Sequence, residues 1–225
     1  MSANQFDGED FLRVVRRALH SPTDDELTDA EILGHFVHPA QVELVSEYDF
    51  PWLLTYEDVT TVADQTSYSL SATDIIRYHL VEGVSDEINW RMKPTSQSNV
   101  SIHGDVTGAP ERWWVSGDAE VSFWPTPSES SLTIRVWYFK EPSVITGAGD
   151  EPASVSDLGG PWDLPIAYRA IAIGLPMMDR ATEVDRWEKL AASKEHKAVK
   201  SLPPMPEYKW KFTSTVSEAI RDGMK

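Results

Sequence analysis

The chain has no cysteine, which rules out disulfides, thiolate metal sites and a cysteine nucleophile together. It is also short of positive charge: 20 Lys and Arg stand against 36 Asp and Glu, a formal net charge of −16. A surface that holds nucleic-acid phosphates by general attraction is therefore disfavoured. Long apolar runs are missing as well. The longest, Ile166 to Met178, is interrupted by Tyr168, Arg169, Gly174 and Pro176 and falls short of the roughly 20 residues a membrane span needs. No basic and apolar leader pattern is present, because Asp7, Glu9 and Asp10 precede any hydrophobic run, so neither export nor a membrane partner is expected. There is no glycine-rich phosphate loop, Gly-x-Ser-x-Gly elbow, HExxH pair or Asx-rich calcium loop.

What remains is an ordinary globular composition. An apolar fraction of 41% over 225 residues supports a real core in one large domain or two small ones. Nine tryptophans suit either a core or an interface. Two weak site patterns were weighed. Glu31, His35 and His38 lie one helical turn apart, but Pro39 distorts that turn and the spacing matches no zinc motif. Asp24-Asp25 and Asp86-Glu87 would suit glycoside chemistry only if two carboxylates faced each other across a cleft, and solvated turns are the simpler reading. No catalytic residue, cofactor or metal is expected.

Periodicity places the elements. Phe11, Val14, Val15, Ala18 and Leu19 form one stripe of a helix over about 9–19. Thr28-Asp29-Ala30-Glu31 is a capping box that opens a second helix, whose apolar face runs through Ile32, Leu33, Phe36, Val37, Ala40 and Leu44. Pro39 inside it predicts a kink or restart near His38. From about 55 to 139 the period becomes two. Val59, Thr61 and Ala63 precede a turn at Asp64-Gln65, and Ser116-Gly117-Asp118 joins a hairpin. The clearest strand is Leu132 to Phe139, with branched and aromatic residues on both faces. A Gly, Ser, Pro and Asp-rich loop over 146–160 follows. Asp163 then caps a third helix buried through Ile166, Ala170, Ile173 and Met177, with Gly174 and Pro176 weakening its end. A fourth, over about 183–202, turns Val184, Trp187 and Ala191 inward and leaves Glu188, Lys189, Lys194, Glu195 and Lys197 solvated.

After the break Pro203-Pro204-Met205-Pro206, the tail alternates Tyr208, Trp210 and Phe212 with Lys209 and Lys211. Alternation of this kind suits an extended arm lying on another surface, with those five residues as its contacts; the other reading is a strand returning to the chain's own sheet.

Several strings, in this order, resemble the head-to-tail adaptor proteins of short-tailed bacteriophages. They are Thr28-Asp29-Ala30-Glu31-Ile32-Leu33, Ala40-Gln41-Val42-Glu43-Leu44, Tyr48-Asp49-Phe50-Pro51-Trp52-Leu53 and Gly108-Ala109-Pro110-Glu111-Arg112-Trp113-Trp114. Phe123-Trp124-Pro125-Thr126-Pro127, Leu132-Thr133-Ile134-Arg135-Val136-Trp137-Tyr138 and Asp163-Leu164-Pro165 complete the series. The resemblance implies an α+β fold: a four-helix-type bundle from 1–54 and 146–202, an inserted antiparallel β-sheet or small barrel over 55–145, and an extended C-terminal arm over 203–225. It further implies a ring of about twelve copies, in the virion at the head–tail junction after assembly in the host cytoplasm. The ring would bind the portal protein above and the tail nozzle or other tail proteins, tail fibres included, below. Genomic DNA would pass through without specific binding; the excess acid would either line the lumen and repel its phosphates or face the outside solvent. Pro39 and Pro176 depart from the uninterrupted helices of that family. The other reading of the tryptophans is a carbohydrate-binding or tail-fibre-base module that exposes them.

Overall fold

The computed structural model describes residues 5–20, 27–85, 89–101, 104, 106–147 and 155–204. The fold is mixed α and β, in two compact units. Among the described residues, one draws on the chain up to Leu53 and on 140–204, and the other on Leu54–Phe139. Tyr208, Lys209, Trp210, Lys211 and Phe212 lie outside the described residues, as do Asp24-Asp25 and Asp86-Glu87.

In the helical unit, α1 (Gly8–Leu19) starts where the Asp7 side chain accepts from the Asp10 amide, and it ends in the left-handed His20. It buries Phe11, Leu12, Val15 and Leu19 and leaves Val14 and Ala18 half-buried, so its inward stripe is rotated from the sequence reading. The capping box forms as expected: the Glu31 amide donates to Thr28 Oγ1 and the Thr28 amide to Glu31 Oε2. From it, α2 (Asp29–Glu31) passes into a π-helical turn over Ile32–Val37 and then α3 (His38–Glu47). That wide turn is how the chain accommodates Pro39. The His38 amide reaches back five residues to the Leu33 carbonyl, and a widened turn relieves the clash a proline ring makes with the carbonyl one turn earlier. It also turns Ile32, Leu33, Phe36 and Val37 all into the core.

The β unit begins with β1 (Leu54–Thr60), β2 (Ser67–Ser69), β3 (Ile75–Val84), β4 (Trp90–Arg91) and β5 (Lys93–Pro94), followed by the short helix α4 (Gln97–Ser101). It continues through β6 (Thr107–Gly108), β7 (Arg112–Gly117), β8 (Glu120–Trp124), β9 (Thr126–Pro127) and β10 (Thr133–Lys140). Two four-stranded sheets, ordered β1-β10-β3-β4 and β2-β8-β7-β5, are accompanied by a separate two-stranded β6-β9 pair. Val59, Val81, Ile134 and Val136 share one core with Tyr68, Trp113, Val121 and Phe123. Most pairings are antiparallel, but β5 with β7 and β6 with β9 run parallel. The β7–β8 turn falls at Asp118-Ala119, one residue later than composition suggested, with Ala119 taking the positive φ of 51°.

Gly83 is buried against the Trp90 indole, where an added Cβ would sit 2.0 Å from a ring carbon. A side chain there must displace the ring or part β3 from β4. Gly83→Ala is therefore expected to cost about 1–3 kcal/mol, measured by urea unfolding. A loss within a few tenths of a kcal/mol would contradict this packing.

Back in the helical unit, α5 (Asp163–Gly174) is the central element and packs against α1, the π turn, α3 and α6 (Val184–Ala198). Gly174 has a reason the sequence did not show. A Cβ there would come within 3.0 Å of Leu19 and 3.2 Å of Phe36, so its bareness lets α1 and the π turn approach closely. Beyond Gly174 the helix tightens into a 3₁₀ turn, Leu175–Met178. The tighter winding swings Met177 off the buried stripe, and it is 65% exposed rather than buried. Val184 and Trp187 on α6 are only half-buried, and α6 buries Ala191, Ala198 and, contrary to the solvated assignment above, Glu195.

Candidate assembly surface

The strongest polar constellation is centred on Arg169. It projects from α5 with its side chain 15% exposed. Its Nε donates to Glu195 Oε1 at 2.6 Å and its Nη2 to Glu195 Oε2 at 3.1 Å. On α3, Glu47 accepts from Nη1 at 3.0 Å and from Nη2 at 2.6 Å, and Glu43 accepts from Nη1 at 3.3 Å. The Tyr48 hydroxyl adds a bond to Glu195 Oε2 at 3.2 Å. One guanidinium thus ties α3, α5 and α6 together. Burial alone would push it toward the neutral form, but its bonds to Glu195 and Glu47 outweigh that and raise its pKa. Burial, and then the charge of Glu195, raise the Tyr48 pKa.

Beside this hub is a groove of about 550 Å³. Its floor is small and apolar, from Ala172, Ile173, Ala191 and Ala192, and Glu43, Glu47, Glu188 and Glu195 surround the single Arg169. Four carboxylates against one cation leave it strongly acidic.

A second feature joins the two chain segments of this unit. Trp162, 1% exposed, packs its ring at a tilt against Tyr48 and edge-on against Phe50, with ring centroids 5.1 and 4.9 Å away. The next residue, Asp163, does not cap its own helix as expected. Its Oδ2 instead accepts from the Phe6 amide at 2.7 Å, while its Oδ1 is buried with no partner among the described residues. Burial, with Asp10 adding to it, pushes its pKa up to about 6 despite the Phe6 bond. Because that value lies above the unfolded one, Asp163 favours the folded state most at low pH and loses this contribution as pH rises through about 6. Asp163→Asn keeps an acceptor for Phe6 and removes the charge. It is expected to raise stability by up to about 3 kcal/mol at pH 7.5, with the gain shrinking toward pH 4. Urea titrations at both pH values check this; a gain that does not change with pH contradicts it.

The other residues singled out by sequence do not converge. Glu31 is held by Thr28, His35 is exposed, and His38 Nε2 lies 2.7 Å from Glu141 Oε1. Among the described residues no group of three or more His, Cys, Asp or Glu is placed to hold a metal ion, and no helix is long and apolar enough to cross a membrane. Of the described tryptophans only Trp52 is exposed, and its Nε1 donates to the Asp157 carbonyl. Trp113, Trp114, Trp137 and Trp162 are buried, which leaves little of a tryptophan platform for glycans. Sequence reading missed the Arg169 hub. The available signal was Arg169 itself, a lone cation in an apolar helix, which needs carboxylate partners once buried.

No curated protein sequence matches the chain significantly. The family model described as SU10 adaptor protein does match, over residues 8–198, a span that takes in both the helical and the β unit. The chain therefore belongs to the SU10 adaptor protein family, a family of phage head–tail adaptors.

Proposed function

We propose that this phage adaptor forms a closed ring beneath the portal, joins it to the tail nozzle and leaves a channel through which DNA passes unbound. As a virion component of an adaptor family, it has a structural rather than a catalytic role. The observation that carries the proposal is the family match across 8–198, which includes both compact units and not one module alone. The Arg169 hub supports it, since three helices tied by one largely buried cation suit a stiff ring wall. In this reading the helices act as a bundle forming the ring body, of about twelve copies. The arm residues Tyr208, Lys209, Trp210, Lys211 and Phe212 grip the portal or a neighbouring subunit.

The formal charge of −16 per chain fits a lumen that repels DNA phosphates and lets the duplex slide. Electron microscopy of the purified full chain tests the proposal. Closed rings of uniform size are expected, while a monomer that binds glycans would favour the carbohydrate-binding reading.

A further inference from the structure

We propose that the acidic groove between α3, α5 and α6 is the receptor for residues 206–212 of a second copy of this chain. The inference rests on the ring reading above and names the contact between neighbouring subunits.

Three features of groove and segment match. The first is shape: a groove of about 550 Å³ lies within the range of about 300–1,000 Å³ typical of ligand sites. Its alanine floor leaves room for rings. The second is amphipathic alternation. In an extended chain successive side chains point to opposite sides, so Tyr208, Trp210 and Phe212 share one side and Lys209 and Lys211 the other. With the rings on the Ala172, Ala191 and Ala192 floor, the lysines would leave on the open side, where their long flexible stems can bend back to the glutamate rim. The third is charge. The exposed rim carries three carboxylates, Glu43, Glu47 and Glu188, against one guanidinium, in a chain where Lys209 and Lys211 stand beside only one acid, Glu207, across 206–212. Such pairing sets register and speeds encounter.

The exit from α6 favours a neighbour's groove over the chain's own. Leu202 is extended, with φ −66° and ψ 128°, and prolines follow at 203, 204 and 206. A proline-rich linker is semi-rigid and gains about 3.1 Å per residue, so a segment of this composition would set Tyr208 roughly 19 Å from Leu202. Returning to its own Ala192, ten residues back along the helix, needs a sharp reversal within those stiff residues.

Two measurements on the full chain test this. In sedimentation velocity, Lys209→Glu with Lys211→Glu is expected to weaken self-association at least tenfold. Glu188→Lys, at an exposed rim position, should do the same, and all three changes in one chain should recover association. For the contact itself, a photoreactive benzophenone amino acid replaces Thr213 in a mixture of ¹⁴N- and ¹⁵N-labelled chains. Cross-links are expected between light and heavy copies, on peptides of α3, α5 and α6. Oligomers whose cross-links fall elsewhere, or only within one copy, overturn the inference and leave the ring intact. A full chain that stays monomeric at every concentration overturns the ring reading and this contact with it.

Discussion

Replacing Arg169 with alanine should lower the free energy of unfolding by about 3–5 kcal/mol. The expectation follows from what the substitution leaves behind. The Glu195 side chain is only 6% exposed, and without the guanidinium it keeps just the Tyr48 hydroxyl as a partner among the contacts described above. A buried carboxylate with so little compensation must shed its charge or open the structure. Glu47 and Glu43, about half exposed, return to solvent at little cost. The loss should therefore follow Glu195. Adding Glu195→Ala to Arg169→Ala should recover part of the stability, giving a double variant less impaired than the sum of the single changes. Equilibrium unfolding in urea measures all three. A single-variant loss below about 1 kcal/mol, or strict additivity, would mean that the hub does not join the helices.

Trp162→Ala should cost a similar amount, about 3–5 kcal/mol, through a different mechanism. Trp162 ends a 3₁₀ turn, Gly160–Trp162, that feeds into α5, and its ring packs against both Tyr48 and Phe50. Removing it leaves a void where the segment returning after the β unit meets the end of α3. Trp52 provides the control, being 46% exposed. Its truncation loses one bond to the Asp157 carbonyl and is expected to cost no more than about 1.5 kcal/mol. Equal losses at the two positions would contradict the assignment of Trp162 as the aromatic centre.

Local signals in the sequence were read well because they need no distant partner. The Thr28–Glu31 capping box forms between residues three apart. The alternation of β10 is fixed by the pleat, and its even-numbered residues Ile134 and Val136 reach the shared core. Pro39 predicted a disturbed helix, although the response is a widened turn and not a break. The failures share one cause, partners far away in the chain. Glu195 reads as solvated on its own helix and is buried only because Arg169 lies 26 residues earlier. Asp163 looks like a cap, yet its acceptor goes to Phe6, 157 residues away. Met177 continues the apolar spacing of α5, and only the tightening after Gly174 removes it from the core. The arm was the clearest assembly signal in the sequence and falls outside the described residues. The acidic groove had no sequence signal, because its walls come from three separate helices.

A ring standing between portal and tail would be visible in a cryo-electron microscopy map of the intact particle with this chain placed in it. The expected result is a closed ring of identical subunits beneath the portal, with the tail nozzle below and the duplex passing through the centre. Finding the chain on the tail fibres, or anywhere that it encloses no channel, would contradict the account.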